Sequence, residues 1–418
     1  MISTNQLIQK YSQNVRRVGG GTTRSAKCRL DNGDYLCEQF VIDDEMGTGR
    51  NATVFGTGDF AVKVFHYGND DSFEDEVRIL TRIEHAGGSD AIVKFNGIGT
   101  HFQVDSDFMP RLHSAIFLER GFSTLSNVLN EFKDHDMAMP MTVVRGIMRQ
   151  VFSAIAWLHA HDIVSADVNP NNIIIMDAVD AEDITNRIIP HVKLCDFGLA
   201  TAADDKLHTR PGTLEYLPPE VIIGLEYDCG IDVWSAFVTL FELATNFFPF
   251  DVDKADKTSY GAEVDDDEIM VGNIADSCTE STESTDSSTD STEENSDVNV
   301  GDEFVDDYTA RYRHLLLIAR VIGYPCAKFV DGVKANTKNI EYQYYNHNRK
   351  LMSNPDLVSI SIKQLINLNS EGFNADDAEE LDTFCSLGFR YLSTDRISAE
   401  CALQHSFFTA QSSKSAVG

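Results

Sequence analysis

The spacing of apolar residues divides the chain into a strand-rich first part and a helix-rich second part. Residues 1 to about 35 are polar, with Gly19-Gly20-Gly21 and scattered Lys and Arg, and read as an extension. From Tyr35 onward, short apolar segments are bounded by turn residues: Gln39–Met46 and Ala52–Phe55 flank Gly47-Thr48-Gly49, and Phe60–Phe65 follows. Ala91–Phe95 and Ser114–Leu118 read as two further strands, giving a five-stranded sheet. Between Phe65 and Ala91, Phe73, Val77, Leu80 and Ile83 repeat with helical spacing.

Past Gly121 the period lengthens. Met141–His159 places Val144, Ile147, Met148, Val151, Phe152, Ile155 and Leu158 on one face, which predicts a long buried helix. Ile173–Ile175 and Val192–Leu194 are short enough for a β-hairpin. Ile231–Leu243 is apolar on nearly all sides, as expected of a helix at a domain centre. Helical patterns return at Tyr308–Ile322, Asp377–Tyr391 and Ser398–Phe407. Between Lys254 and Asp302 runs T-E-S-T-E-S-T-D-S-S-T-D-S-T-E-E-N. It holds too little apolar surface to offset chain entropy and reads as a disordered insertion, a solvating spacer in preference to a substrate for an acid-directed kinase.

Charge and cysteine usage narrow the function classes. The net charge is −32, and 17 of the 66 acidic residues fall between Glu263 and Asp307 without one Lys or Arg. The remaining 49 acids still outnumber 34 bases, which argues against direct binding to nucleic-acid phosphates. Such a surface attracts cationic partners, basic protein substrates included, or simply keeps the chain in solution. No apolar run is long enough to span a bilayer, and the first ten residues lack a secretory pattern. Eight cysteines without a C-x-x-C pair suit reduced thiols in the cytoplasm or nucleus.

The chemistry concentrates between Ile163 and Gly198. Asp167 and Asn172 stand five positions apart, and Asp196-Phe197-Gly198 follows a polar connection. Phosphoryl transfer from ATP to a hydroxyl needs a carboxylate to orient the acceptor. It also needs an amide and a second carboxylate to hold Mg2+ against the phosphates. In this pattern the chain resembles the protein-kinase family, whose catalytic loop reads H-R-D-x-x-x-x-N and whose metal loop reads D-F-G. The resemblance implies an α+β, bilobal fold, with a small β-rich lobe over residues 36–120 and a larger helical lobe over 121–409. An acidic insertion at about 254–303 interrupts the second lobe, an extension (1–35) precedes the first, and 410–418 is a tail.

Other motifs fall in the family's order. Gly47 and Gly49, with Val54, resemble the glycine-rich loop, although Ala52 replaces its third glycine. Ala61-Val62-Lys63 resembles the strand whose Lys binds the α- and β-phosphates of ATP. Glu76 is the candidate to pair with Lys63, with Glu74 as the alternative on another face. Leu118 and Glu119 resemble the hinge beside adenine. The implied catalytic set is Asp167, Lys63 and Glu76. Nucleotide contacts fall to Gly47, Gly49, Val54, Ala61, Lys63, Glu119, Asn172 and Asp196, and the metal ligands are Asn172 and Asp196. Gly212–Glu220 resembles the end of the activation loop, and Glu220 is expected to meet Arg396 as a buried pair. Asp232 is expected to brace the catalytic loop.

Within the family, G-L-E-Y-D-C-G-I-D-V-W-S and H-L-L-L-I-A-R-V-I-G-Y-P look CMGC-like, nearest its SR-protein and dual-specificity-like kinases. Ser165-Ala166 replaces the usual His-Arg, which implies activation that does not depend on a phosphate–arginine contact. Thr209 is then either a phosphosite or an ordinary loop threonine. Asn169 stands where serine/threonine kinases usually carry a Lys. The resemblance implies an active serine/threonine kinase; the alternative is a pseudokinase acting as a nucleotide-binding scaffold.

Overall fold

The computed structural model describes residues 24–31, 34–40, 44–104, 110–202, 212–250, 300–323, 325–335, 360–369 and 374–409. Residues 1–23, Thr209, residues 251–299 of the acidic insertion and the tail from 410 lie outside the described residues. A hairpin comes first, β1 (Arg24–Asp31) with β2 (Asp34–Phe40), in the stretch expected to be mostly extension. Its register sets Cys28 opposite Cys37.

The first lobe is built on β3 (Glu45–Thr48), β4 (Ala52–Thr57), β5 (Phe60–Phe65), helix α1 (Asp70–His85), β6 (Phe95–Val104) and β7 (Pro110–Glu119). The strands form an antiparallel sheet in the order β3-β4-β5-β7-β6. Helix α1 buries Phe73, Glu76, Ile79, Leu80 and Ile83 at three- and four-residue spacing, with Phe73 edge-on to Phe65 of β5 at 5.4 Å. Ala91–Phe95 is not the fourth strand. Ile92 makes a single parallel bridge to Leu194, and the pairing strand is the longer Phe95–Val104.

The second lobe opens with β8 (Ser123–Thr124), α2 (Leu125–Asp134) and α3 (Met141–Ala160). Then come β9 (Ile163–Val164), β10 (Ile173–Ile175), the short helix α4 (Ala181–Thr185), β11 (Val192–Leu194) and β12 (Thr201–Ala202). β10 and β11 form the expected hairpin, Ile173 opposite Leu194. Next are α5 (Pro219–Ile222) and α6 (Gly230–Thr245), all of whose residues are buried. Three of its hydroxyls donate to backbone carbonyls, Ser235 to Tyr216 O, Thr239 to Ser235 O and Thr245 to Phe241 O, whereas the buried Trp234 Nε1 has no hydrogen-bond partner among the described residues. The helix ends at Asn246 in the left-handed region, with φ 63°.

The remaining helices are α7 (Val300–Ile322), α8 (Ala327–Ala335), α9 (Ile362–Asn369), α10 (Ala375–Gly388), α11 (Ala399–Leu403) and α12 (Ser406–Thr409). Thus α7 begins eight residues before the expected Tyr308, within the last residues assigned to the insertion, and Ser398–Phe407 is two short helices. An aromatic cluster joins α3, α6 and α10: Phe237 packs 5.4 Å from Phe152 and 4.8 Å from Phe384. Gly388 makes this packing possible, because a Cβ there would lie 1.9 Å from Phe237 Cδ2. Gly388→Ala is therefore expected to cost about 1–3 kcal/mol through overpacking, read as a lowered melting temperature.

Candidate functional site

Strand β5 carries Lys63, and α1 brings Glu76 to it from its buried face. Lys63 Nζ lies 2.7 Å from Glu76 Oε2 and 2.8 Å from Asp196 Oδ1. Glu76 is 1% exposed, whereas Glu74 is half-buried on another face, so the pairing acid is Glu76. Burial alone would lower the Lys63 pKa, but the adjacent Glu76 and Asp196 charges hold it well above its ordinary value. The same ammonium overrides burial at Asp196 and keeps that carboxyl below the usual carboxylate range. Lys63 is thus a fixed cation.

A second cluster surrounds Asp167. Asn172 Nδ2 donates to Asp167 Oδ2 (2.8 Å) and Asp167 O (2.9 Å). Thr213 donates to Asp167 Oδ1 through both its N–H and its hydroxyl, each at 3.1 Å, from 46 residues away. Asn169 Nδ2 reaches the same Oδ1 at 3.0 Å. Burial raises the Asp167 carboxyl above its usual range against the pull of Thr213 and Asn172. The two clusters are pinned together, since Cys195 N–H donates to Asn172 O at 2.8 Å. Burial pushes the Cys195 thiol upward, so it stays protonated between them.

Asp232 of α6 supports the loop from below, as expected. It accepts the N–H of Ser165 (2.9 Å) and of Ala166 (2.7 Å), holding Ala166 at φ 64°. Ser165 is sealed at 0% exposure, and its Oγ finds no hydrogen-bond partner among the described residues. His159 Nε2 also meets Asp232, at 2.9 Å. Burial alone would lower the His159 pKa; Asp232, helped by Cys229, pushes it up to about 9. The folded value lies above the unfolded one, so this pair contributes fully below about pH 6.5 and is lost as pH rises through about 9. The stability margin of wild type over His159→Gln should shrink between pH 6.5 and 9.5 by on the order of 2–3 kcal/mol, read by melting at each pH.

The nucleotide-side residues are less uniform. Gly47 pairs with Val54, Val54 with Lys63, and Ala61 with Leu118. Gly49 N–H closes a turn onto Ala52 O at 2.9 Å. A Cβ at Gly47 would meet nothing within 4 Å and at Gly49 only Ala52 O at 3.7 Å, so the chain's own packing demands neither glycine. Glu119 turns its carboxylate to Lys193 (2.7 Å) and Lys94 N–H (3.2 Å) and gives its own N–H to Lys94 O. Its carboxylate is therefore engaged within the chain. Glu220 and Arg396 form a buried bidentate pair at 2.6 and 2.7 Å.

Sequence reasoning missed the bonds from Asn169 and Thr213 to Asp167 and the charge on His159. Spacing gives no sign of a contact made across 46 residues. His159 lies at the end of a helix whose pattern is otherwise explained by burial.

Two oxygens remain for a cation. Asp196 Oδ2 and Asn172 Oδ1 accept no hydrogen bond from the described residues, whereas their partner atoms are engaged. Among the described residues no group of three or more His, Cys, Asp or Glu could hold a metal. One carboxylate and one amide oxygen suit a hard cation that takes its remaining ligands from water and phosphate, as Mg2+ does. No helix among the described residues is long and apolar enough to cross a membrane.

The family model described as protein kinase domain matches residues 40–408. Serine/threonine-protein kinase D2 of Rattus norvegicus is 29% identical over 229 residues, covering 52% of this chain and 24% of that protein. Serine/threonine-protein kinase D3 of Homo sapiens is 29% identical over 52% of this chain and 23% of its own length. Serine/threonine-protein kinase DCLK1 of Rattus norvegicus is 26% identical over 252 residues, covering 57% of this chain and 51% of that protein. The chain spans about a quarter of the length of the kinase D relatives.

Proposed function

The chain belongs to the protein kinase family, and we propose that it transfers the γ-phosphoryl group of ATP to serine and threonine hydroxyls of protein substrates. The observation that carries this reading is the Lys63 ammonium held between Glu76 and Asp196, beside a loop that presents Asp167 and Asn172. In this reading Lys63 binds the α- and β-phosphates, and the backbone of Gly47 and Gly49, with Val54 and Ala61, covers the nucleotide. Glu119 contributes backbone rather than side chain. Asp167 orients the acceptor hydroxyl. Asn172 and Asp196 hold Mg2+, which when bound offsets charge on the phosphates.

Basic acceptors fit the net charge of −32 and a catalytic loop whose Ala166 and Asn169 supply no cation. The same charge disfavours nucleic acid. The CMGC-like features at 224–235 and 314–325 remain part of the proposal, although the relatives above carry kinase D and DCLK names. Free thiols at Cys195, Cys229, Cys326, Cys385 and Cys401 suit the cytoplasm or nucleus. The pseudokinase alternative is disfavoured, because Lys63, Glu76, Asp167, Asn172 and Asp196 are all present and engaged. The deciding test is radiolabelled-ATP transfer to an Arg- and Lys-rich acceptor protein. Signal must depend on Mg2+ and on Asp167; incorporation by wild type no greater than by Asp167→Ala would end the enzyme reading.

A further inference from the structure

Asn169 is 1% exposed, and its amide is engaged at both ends. Its Nδ2 donates to Asp167 Oδ1 (3.0 Å) and to Asp167 O (3.2 Å), while its Oδ1 accepts the N–H of Asn171 (3.0 Å). That last bond caps the short 3-10 turn Pro170–Asn172, which carries Asn172 back to Asp167 Oδ2. Asp167 Oδ1 thus receives three donors, from Asn169 and twice from Thr213, and Oδ2 receives one. With about two lone pairs per carboxylate oxygen, Oδ1 is saturated and Oδ2 keeps the room for an acceptor hydroxyl. All four donors are neutral.

We propose that Asn169 is a positioning residue for phosphoryl transfer. Its amide fixes which oxygen of Asp167 meets the substrate and, through the same turn, where Asn172 lies. The inference rests on the kinase reading of the site. It gives the residue that replaces the usual cation a task of its own: a strut beneath the acceptor-orienting carboxylate, not a contact to the transferred phosphate.

The discriminating substitution is Asn169→Asp. Aspartate retains the oxygen that caps Asn171 N–H, and it is a strong capping residue. It exchanges the donor to Asp167 for a like charge roughly 3 Å away, the separation of the bond it replaces. The expected result is a fall in kcat of about 30-fold or more, with KM for MgATP within about threefold and the melting temperature within about 2 °C. Binding of a fluorescent ATP analogue should likewise change by less than about threefold, because Lys63 and Asp196 are untouched. Wild-type kcat in Asn169→Asp would overturn the proposal, leaving the residue a cap. A kcat loss matched by a melting loss of 5 °C or more would overturn it too. Should Asn169→Asp fail to fold, Asn169→Ser, which keeps an oxygen for the cap, decides by the same kcat-against-KM split.

Hydrogen exchange over residues 165–172 separates this inference from its parent. Faster exchange there in Asn169→Asp is expected, and unchanged exchange would sink the strut while leaving the kinase reading intact. Conversely, equal phosphate transfer by wild type and Asp167→Ala would defeat the kinase reading, and exchange would still judge Asn169.

Discussion

Asp167→Ala is expected to lower phosphoryl transfer by roughly 10²–10⁴-fold, the range associated with removing a positioned acid–base group. The KM for ATP should stay close to wild type. Lys63, Glu76 and Asp196 form their own cluster, and none of its bonds passes through Asp167. Removing the carboxylate leaves Asn169, Asn172 and Thr213 with donors to re-pair, so Asp167→Asn separates loss of charge from loss of packing. Single-turnover transfer from γ-labelled ATP to a basic acceptor measures both variants. Retention of more than a tenth of wild-type turnover by both would exclude Asp167 as the acceptor-orienting group.

The second large effect is structural. Arg396→Ala should destabilise the protein by about 3–5 kcal/mol, because it leaves the Glu220 carboxylate buried without its counter-ion. The two side chains are 1% and 7% exposed, and the guanidinium also serves Gly230 O and lies 5.1 Å from the Trp234 ring centre. The pair ties α5 to the start of α6. An apolar double replacement at Glu220 and Arg396 should recover part of the loss, since it removes both buried charges. Denaturant melts of the two single variants and the double variant test this; single losses below about 1 kcal/mol would dismiss the pair as a clasp.

What the sequence made legible followed from local rules. The interval from Glu76 to the apolar Leu80, read with the family pattern, favoured Glu76 over Glu74, and Glu76 meets Lys63 from the buried face of its helix. The run Ile231–Leu243, apolar on nearly all sides, marked the buried helix that carries Asp232. The strand at Ala91–Phe95 was misread because Ile92 and Val93 are buried for a different reason. They dock on β11, with Val93 N–H donating to Leu194 O, while the true strand holds Gly97, Gly99 and Thr100 and has no clear alternation. The Asn169 amide was opaque for another reason: a substitution read against a family pattern shows what is missing, not what the new side chain binds.

Ala166 is a non-glycine residue in the left-handed region, a conformation that costs an L-residue roughly 1–2 kcal/mol. It is kept there by the Asp232 carboxylate, which α6 supplies at 0% exposure. Damage to that carboxylate would release the bend and displace Asp167 without touching substrate or nucleotide. A genetic screen scored on phosphorylation alone would therefore assign such alleles to the chemistry, although the lesion sits in the foundation beneath it.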